Sequence, residues 1–175
     1  MMNPYYGRPL NDTTYYPYFA VAERLGVPVL FHTGEGGPDP QGIWAPRFRI
    51  ALADAGLLEE VAIRFPKLKI VAMHLGWPDF DHALYLAFAY PNVYLDVATS
   101  DWLLGRATFD RMLRETVAMI GSDRVLFGSD QMVWPQQMPV AVQTIRDASY
   151  LTAADRENIF RRNAERLLQH DKAPR

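Results

Sequence analysis

The sequence contains no cysteine, and this absence limits the kinds of site that the chain can build. Without thiols there are no disulfides and no thiolate zinc centres, so a bound metal must be held by nitrogen and oxygen ligands. Histidine is also scarce, with four residues in a chain of 175. Any metal chemistry is therefore expected from a few histidine and carboxylate side chains whose positions can be judged one by one.

An excess of positive charge is missing too, because the formal net charge at pH 7 is −2. The sequence has no run of lysine and arginine, so it lacks the electrostatic pattern of a nucleic-acid-binding protein. No stretch approaches the roughly 20 apolar residues of a transmembrane helix, and the first residues do not form a signal peptide. We expect a cytoplasmic protein without nucleic-acid or membrane partners.

Apolar residues make up 49% of the chain, which is enough for one substantial core, and a single domain over residues 1–175 is expected. Short apolar runs alternate with segments of helical periodicity. Strands are predicted at 27–32, 68–74, 92–99 and 125–130, and helices at 14–25, 49–65, 79–90, 106–120, 135–148 and 152–168. This α/β pattern of four βα units fits half of a (β/α)₈ barrel or a small doubly wound sheet.

Local signals refine the helix boundaries. Asp79 is predicted to cap the helix at 79–90, and Thr152 with Asp155 forms a capping-box signature for the last helix. Gly56 is expected to divide the helix at 49–65. The stretch from residue 33 to about 48 is rich in glycine and proline and is predicted to be a long loop, either functional or disordered.

Three of the apolar runs end on a residue that can bind a metal. These residues are His32, His74 and Asp130, and each has a glycine two positions away. In parallel α/β proteins the carboxyl ends of the strands carry the functional groups. One histidine at a strand end is as often a structural group as a ligand, whereas three residues in matched positions favour a functional site.

The motifs at these positions carry a resemblance to a known family. The sequence reads Val-Leu-Phe-His-Thr-Gly at 29–34, Met-His-Leu-Gly-Trp-Pro at 73–78, Asn-Val-Tyr-Leu-Asp at 92–96, Leu-Phe-Gly-Ser-Asp at 126–130 and Asn-Ala-Glu-Arg-Leu-Leu at 163–168. This series resembles the amidohydrolase-related family of metal-dependent TIM-barrel hydrolases and decarboxylases. The resemblance implies that His32 and Asp130 bind a divalent metal. It also implies that His74 is catalytic or binds a second metal, and that Asp130 takes part in catalysis.

The sequence departs from this family in one respect. Full members have a His-x-His pair at the end of strand 1, and no such pair is present. The resemblance thus implies a partial TIM barrel, a single half-barrel domain of four (β/α) units that correspond to strands 5 to 8. The chain is also shorter than the roughly 250 residues of a complete barrel. Because a half barrel leaves edge strands and apolar faces uncovered, we expect a homo-oligomer or a complementary N-terminal half-barrel as partner.

Several further residues are assigned from their positions. Asp96 is expected inside a strand as a buried hydrogen-bonding partner, and His82 and His170 are expected on the surface. A guanidinium in the long loop could bind a substrate carboxylate, and an indole after a strand end could line a pocket for a flat substrate. The substrate-binding candidates are therefore Arg47, Arg49, Trp77 and Trp134, with Trp102 in a similar position.

The function implied by the resemblance is that of a metal-dependent hydrolase. It would act on a small ester, lactone or amide through a metal-activated water, with zinc as the expected metal. Two alternatives stay open: a metal-dependent decarboxylase of carboxylated aromatic acids, or a catalytically inactive half barrel that functions only by association.

Overall fold

The strands form one parallel sheet whose spatial order is the order of the chain, β1-β2-β3-β4. The computed structural model describes residues 1–34, 43–130 and 134–169. The strands are Val29–Phe31 (β1), Ile70–Ala72 (β2), Val93–Asp96 (β3) and Val125–Leu126 (β4). A doubly wound sheet reverses its strand order at a switch point. The uninterrupted order here is that of neighbouring strands in a barrel, as the half-barrel prediction requires.

Helices connect the strands and agree broadly with the predicted periodicity. They are α1 (Tyr16–Leu25), α2 (Leu58–Arg64), α3 (Phe80–Ala89), α4 (Ser100–Leu103), α5 (Arg106–Ile120), α6 (Met138–Arg146), α7 (Ala153–Glu157) and α8 (Asn163–Leu168). A π-helical turn, Asn158–Arg162, joins α7 to α8, and short 3₁₀ turns at Pro4–Tyr6, Thr13–Tyr15, Ile50–Leu52, Ala55–Leu57 and Pro135–Gln137 precede other elements. Helix α5 has the predicted bounds. The helix predicted at 49–65 is divided near Gly56 as expected, because the 3₁₀ turns Ile50–Leu52 and Ala55–Leu57 precede α2.

The two capping predictions had different outcomes. The capping box is present, since the Thr152 hydroxyl accepts from the Asp155 N–H and the Asp155 carboxylate accepts from the Thr152 N–H. The predicted cap at Asp79 was wrong, because its side chain makes no capping hydrogen bond. Its backbone angles, φ −90° and ψ 49°, are not the extended angles from which a cap side chain reaches the first turn.

The strands are shorter than the apolar runs that predicted them. The chain leaves the sheet after Ala72, Asp96 and Leu126 rather than at residues 74, 99 and 130. After β2 it bends into the turn Met73–Gly76, where His74 and Leu75 have φ of 61° and 51°. Asp96 is accordingly the last residue of its strand rather than an interior one. Apolar residues continue beyond β2 and β3 because the turns that follow these strands are also buried.

The sheet has one face covered by helices and a second, inner face that carries the site. On the outer face, the Phe19 ring of α1 packs edge-on against Phe31, with 5.3 Å between ring centroids. The inner face has a smaller apolar cluster, formed by Leu30, Val71, Tyr94, Leu126, Ala164 and Leu167. Because side chains alternate along a strand, His32 and Asp96 share the inner face with Leu30 and Tyr94.

Both edges of the sheet are partly covered by other segments of the chain. At β1, the Met2 N–H donates to the Leu30 carbonyl (2.7 Å) and the His32 N–H donates to the Met2 carbonyl (2.8 Å). At β4, the Phe127 N–H donates to the Ile159 carbonyl (2.9 Å). The buried Asn163 amide donates to the carbonyls of Val125 (2.6 Å) and Ser122 (2.7 Å). These bonds satisfy backbone groups that an open edge would leave for pairing with another chain.

Replacing Asn163 tests the contribution of this edge contact. We expect Asn163→Ala to lower the free energy of unfolding by about 2–4 kcal/mol, because two buried carbonyls lose their donor. Urea denaturation would measure the change. Asn11→Ala is the control, since the Asn11 amide makes one long hydrogen bond, 3.5 Å to Glu60. Equal stability of the two variants would contradict a stabilising role for Asn163.

Candidate active site

The segments that follow the strands converge at the carboxyl end of the sheet, and glycine permits two of the close approaches. Gly34 has φ 79°, and a Cβ there would lie 2.0 Å from the Trp77 carbonyl oxygen. A Cβ at Gly128 would lie 2.9 Å from the Ala98 Cβ. A side chain at either position would push the neighbouring segment away. The glycines noted beside His32 and Asp130 therefore serve to bring the loops together.

The structure brings His32 and His74 into direct contact in a directed chain of hydrogen bonds. The His74 Nδ1 lies 2.9 Å from the Ala98 carbonyl oxygen, which can only accept, so Nδ1 carries the proton. In the neutral ring Nε2 then accepts, and its partner at 3.1 Å is His32 Nδ1. The His32 Nε2 in turn lies 3.3 Å from the Tyr5 hydroxyl. Both imidazoles are buried, with exposed fractions of 6% for His32 and 1% for His74.

A buried carboxylate supports the backbone of this pair. Asp96 Oδ1 accepts from the N–H of His74 (2.9 Å) and from the N–H of Ala98 (3.1 Å). Burial raises the pKa of Asp96, and the neighbouring charge of Asp130 raises it further, while His74 opposes the shift. Asp96 thus has the hydrogen-bonding position expected for it, although it lies at the strand end.

A segment that follows β3, residues 98–102, contacts His74 from a second side. We call these residues the bridging segment. The Ala98 carbonyl accepts from the His74 ring, and the Ser100 hydroxyl donates to the His74 carbonyl at 2.8 Å. Ring and backbone of His74 are therefore both fixed by the same short segment.

The bridging segment also contacts the end of β4. The Thr99 hydroxyl donates to Asp130 Oδ2 at 3.0 Å, and the Trp102 indole N–H donates to the Ser129 carbonyl at 2.8 Å. Asp130 has a positive φ of 50°. Asp130 is thus linked to the histidine pair through the bridging segment. Across residues 1–34, 43–130 and 134–169, no three His, Asp or Glu side chains are arranged as a ready-made metal site.

The predicted substrate-binding residues occupy different environments. Arg47 and Arg49 are exposed, and the Arg49 guanidinium donates to the carbonyls of Phe48 (2.6 Å) and Pro46 (3.2 Å). Trp77 is partly buried and packs against the main core.

Trp134 is 42% exposed, and its ring centroid lies 5.7 Å from that of Trp102. His82 is on the surface as predicted and pairs with Asp54 at 2.8 Å. Much of the predicted long loop (35–42) and His170 lie outside the described residues.

Sequence reasoning missed Tyr5 and the bridging segment. Tyr5 precedes β1 by more than twenty positions, and nothing local predicts its contact with His32. The bridging segment did leave a signal, because Thr99, Ser100 and Asp101 are consecutive polar residues at the end of the strand predicted at 92–99. Polar residues at that point are expected to face the site rather than the core.

Asp101 is the most unusual group near the centre. It is only 2% exposed, and neither carboxylate oxygen has a hydrogen-bond partner among the described residues. Burial raises the pKa of Asp101 to about 8, and the charge of Asp96 contributes to the increase. A carboxyl group in this environment carries its proton at neutral pH.

The parallel sheet is a barrel segment, and the histidine pair and Asp130 lie at the carboxyl ends of its strands. These features define a TIM-barrel-type α/β protein with a polar site at that end. The comparison with protein families agrees: residues 3–169 match the amidohydrolase family, and the chain belongs to it. The curated relative Protein fluG of Emericella nidulans is 29% identical over 146 residues, which cover 81% of this chain and 16% of that protein.

Solved structures confirm the partial-barrel architecture. An uncharacterized TIM-barrel protein from Bordetella bronchiseptica superposes with a TM-score of 0.69 at 29% identity, over 91% of this chain and 52% of that one. A dihydroxybenzoic acid decarboxylase from Polaromonas sp. JS666, with bound manganese, gives 0.62 at 21% identity over 91% and 55%. A protein from Pseudomonas putida assigned as a 2-pyrone-4,6-dicarboxylic acid hydrolase gives 0.54 at 21% over 86% and 66%. The chain thus spans about half the length of the first two proteins.

In the described parts of the chain, no helix has the length and apolar character needed to cross a bilayer.

The Asp101 environment makes stability depend on pH in a defined direction. Because its folded-state pKa of about 8 lies above the ordinary 3.8, folding takes up a proton between these values. The wild-type protein should therefore lose stability relative to Asp101→Asn as pH rises from about 4 to 8, by up to about 1.4 kcal/mol per pH unit. Urea unfolding at several pH values would show this. Parallel curves for the two proteins would contradict it, and Asp81→Asn, at an exposed position, is the control.

Proposed function

We propose that this chain contributes the catalytic centre of a metal-dependent hydrolase that acts on a small ester, lactone or amide. The observation that carries the proposal is the buried contact between His32 and His74 at the carboxyl end of the sheet, with Asp130 linked to the same cluster through the bridging segment. Family membership supports the proposal, and the activity of the longer relatives is extended to this chain only as part of it.

The donor groups suit a divalent metal. Imidazole nitrogen and carboxylate oxygen are ligands for zinc, manganese and related ions. His74 has the outer hydrogen bond typical of a metal-binding histidine, from Nδ1 to a backbone carbonyl, which directs Nε2 toward the site. A bound cation would also stabilise the charged form of Asp96, whose buried carboxylate accepts from the His74 N–H. His32 and Asp130 are the proposed ligands, His74 is proposed either as a further ligand or as the catalytic group, and zinc is the proposed metal.

Each residue has a separate role in the proposed reaction. A bound divalent ion would lower the pKa of its water to near 7 and so provide a nucleophile at neutral pH. Asp130 would accept the proton of this water. His74, whose ring is fixed by Ala98, would polarise the scissile carbonyl or pass a proton to the leaving group. Asp96 holds the backbone of His74 in place.

Substrate binding is proposed for the arginine and tryptophan candidates. Arg47 is preferred over Arg49 for a substrate carboxylate, because the Arg49 guanidinium already donates to two carbonyls of its own loop. The indoles of Trp102 and Trp134 pack together beside Ser129 and could border a flat substrate. Trp77 is a weaker candidate because it packs against the core.

A metal-dependent decarboxylase of carboxylated aromatic acids is the second candidate. It is favoured by the Polaromonas decarboxylase, which superposes with a higher TM-score than the Pseudomonas hydrolase. The same centre could serve either reaction, since both need a metal and a positioned acid or base. The products separate the two: hydrolysis of a lactone opens the ring and yields a carboxylate, whereas decarboxylation releases carbon dioxide.

Association with a second barrel half is proposed as the condition for full activity. Helix α1 has an apolar row at helical spacing, Tyr18, Val21 and Leu25, with exposed fractions of 69%, 44% and 57%. An exposed row of this kind is typical of a surface that packs against another element. The partner would be a second copy of this chain or a complementary N-terminal half-barrel, and light scattering would detect the former.

Metal content tests the proposed function directly. We expect protein purified without chelator to hold close to one divalent metal per chain by elemental mass spectrometry, and Asp130→Ala to hold at least tenfold less, because a charged ligand is lost. Asp81→Ala, an exposed aspartate, is the matched control and should keep the metal.

The result separates the enzyme from an inactive half barrel. Metal in the wild type and the control but not in Asp130→Ala would support the proposal and justify assays with lactones and carboxylated aromatics. Absence of metal from all three proteins, even after addition of zinc and of a complementary half, would favour a module that acts by association alone.

A further inference from the structure

Thr99 lies at the centre of the bridging segment in a backbone conformation that is rare for its residue type. Its φ is 63° and its ψ is −47°, and the N–H of Ser100 donates to the carbonyl of Ala98 at 2.6 Å. These values describe a γ-turn with positive φ, which is strained for any L-residue. A β-branched side chain makes the conformation less favourable still. Glycine would adopt this turn with the least strain, so the presence of threonine suggests that its side chain has a use.

The side chain makes one specific contact in the site. Thr99 is 6% exposed, and its hydroxyl donates to Asp130 Oδ2 at 3.0 Å. The residues on either side of Thr99 are both bonded to His74: the Ala98 carbonyl to its ring and the Ser100 hydroxyl to its carbonyl. The γ-turn therefore directs the threonine hydroxyl toward β4 while its two ends are held at the end of β2.

We propose that Thr99 is a positioning residue that orients the carboxylate of Asp130 relative to His74. This inference rests on the proposed function, in which Asp130 is a metal ligand. A carboxylate has two oxygens, so a hydroxyl bonded to one is compatible with metal coordination through the other. Hydrogen bonds to ligating carboxylates fix their direction, and losing such a bond typically weakens metal binding by roughly 10–100-fold.

Three substitutions separate the hydroxyl from the backbone conformation. Thr99→Val keeps the shape and removes the hydroxyl, Thr99→Ser keeps the hydroxyl, and Thr99→Gly removes the hydroxyl while relieving the turn. Thr116→Val is the matched control, because Thr116 is fully buried and its hydroxyl donates to the Met112 carbonyl within α5. Thermal unfolding would establish that each variant folds, and Thr99→Gly is expected to fold even if Thr99→Val does not.

The probe is metal alone, measured by zinc affinity and by the visible absorption of bound Co²⁺, which reports the ligand geometry. We expect Thr99→Val and Thr99→Gly to bind zinc at least tenfold more weakly than the wild type and to show a changed Co²⁺ spectrum. Thr99→Ser and Thr116→Val are expected to match the wild type in both measurements.

The outcomes distinguish this inference from the proposed function. If Thr99→Gly binds zinc as the wild type does while Asp130→Ala does not, Asp130 is a ligand and the positioning role of Thr99 is refuted. If the wild type itself binds no zinc, with or without a complementary half, both proposals fail. Weakened binding in the two hydroxyl-free variants, restored by serine, would establish the role.

Discussion

The placement of His74 is the constraint on which the candidate site depends. Its backbone N–H is bonded to the buried Asp96 carboxylate, its carbonyl to the Ser100 hydroxyl, and its ring to the Ala98 carbonyl. These bonds hold the residue in a left-handed conformation, φ 61°, that a histidine in a free turn rarely occupies. The ring is thereby fixed in position and in tautomer, and His32 then becomes the hydrogen-bond donor to it. The arrangement of the site therefore depends on this turn, whose backbone and imidazole ring are both held by hydrogen bonds.

Buried carboxyl groups near this turn determine the electrostatics of the site. Asp96 and Asp101 are almost completely buried, and both have raised pKa values because burial disfavours the charged form. Asp130 lies close enough to Asp96 for its charge to contribute. Charge on these buried groups is weakly screened, because little water reaches Asp96 and Asp101. Such an environment favours a bound cation or retained protons.

Features of this centre that depend on neighbouring residues in the sequence can be predicted, whereas contacts between distant segments cannot. His32, His74 and Asp130 were identifiable because apolar runs and strand ends are local features. The order of the strands agrees with a barrel segment, which the repeat of βα units already suggested. Where the strands stop was predicted less well, because the buried turns after β2 and β3 continue the apolar pattern.

The contacts between segments could not be predicted. The bond from Tyr5 to His32 and the bond from Thr99 to Asp130 join residues 27 and 31 positions apart, and they depend on how the loops fold over the sheet. The positive φ of Thr99 is equally invisible, since threonine normally indicates an extended conformation. Local propensity and tertiary structure disagree at this residue, and such disagreement is typical of functional positions.

A half barrel has to provide hydrogen-bond partners for the backbone groups of its own edge strands before it can maintain such a site. Met2 covers the edge of β1, and Asn163 with Ile159 covers that of β4, so backbone groups that a complete barrel would pair with further strands have partners within this chain. The inner face receives Ala164 and Leu167 of α8, which pack on the strand residues beneath the histidines. The apolar row on α1 has no such cover among the described residues and stays exposed. Burial of the exposed apolar row on α1 would therefore contribute more to the proposed association than edge pairing, because these backbone edge groups already have partners.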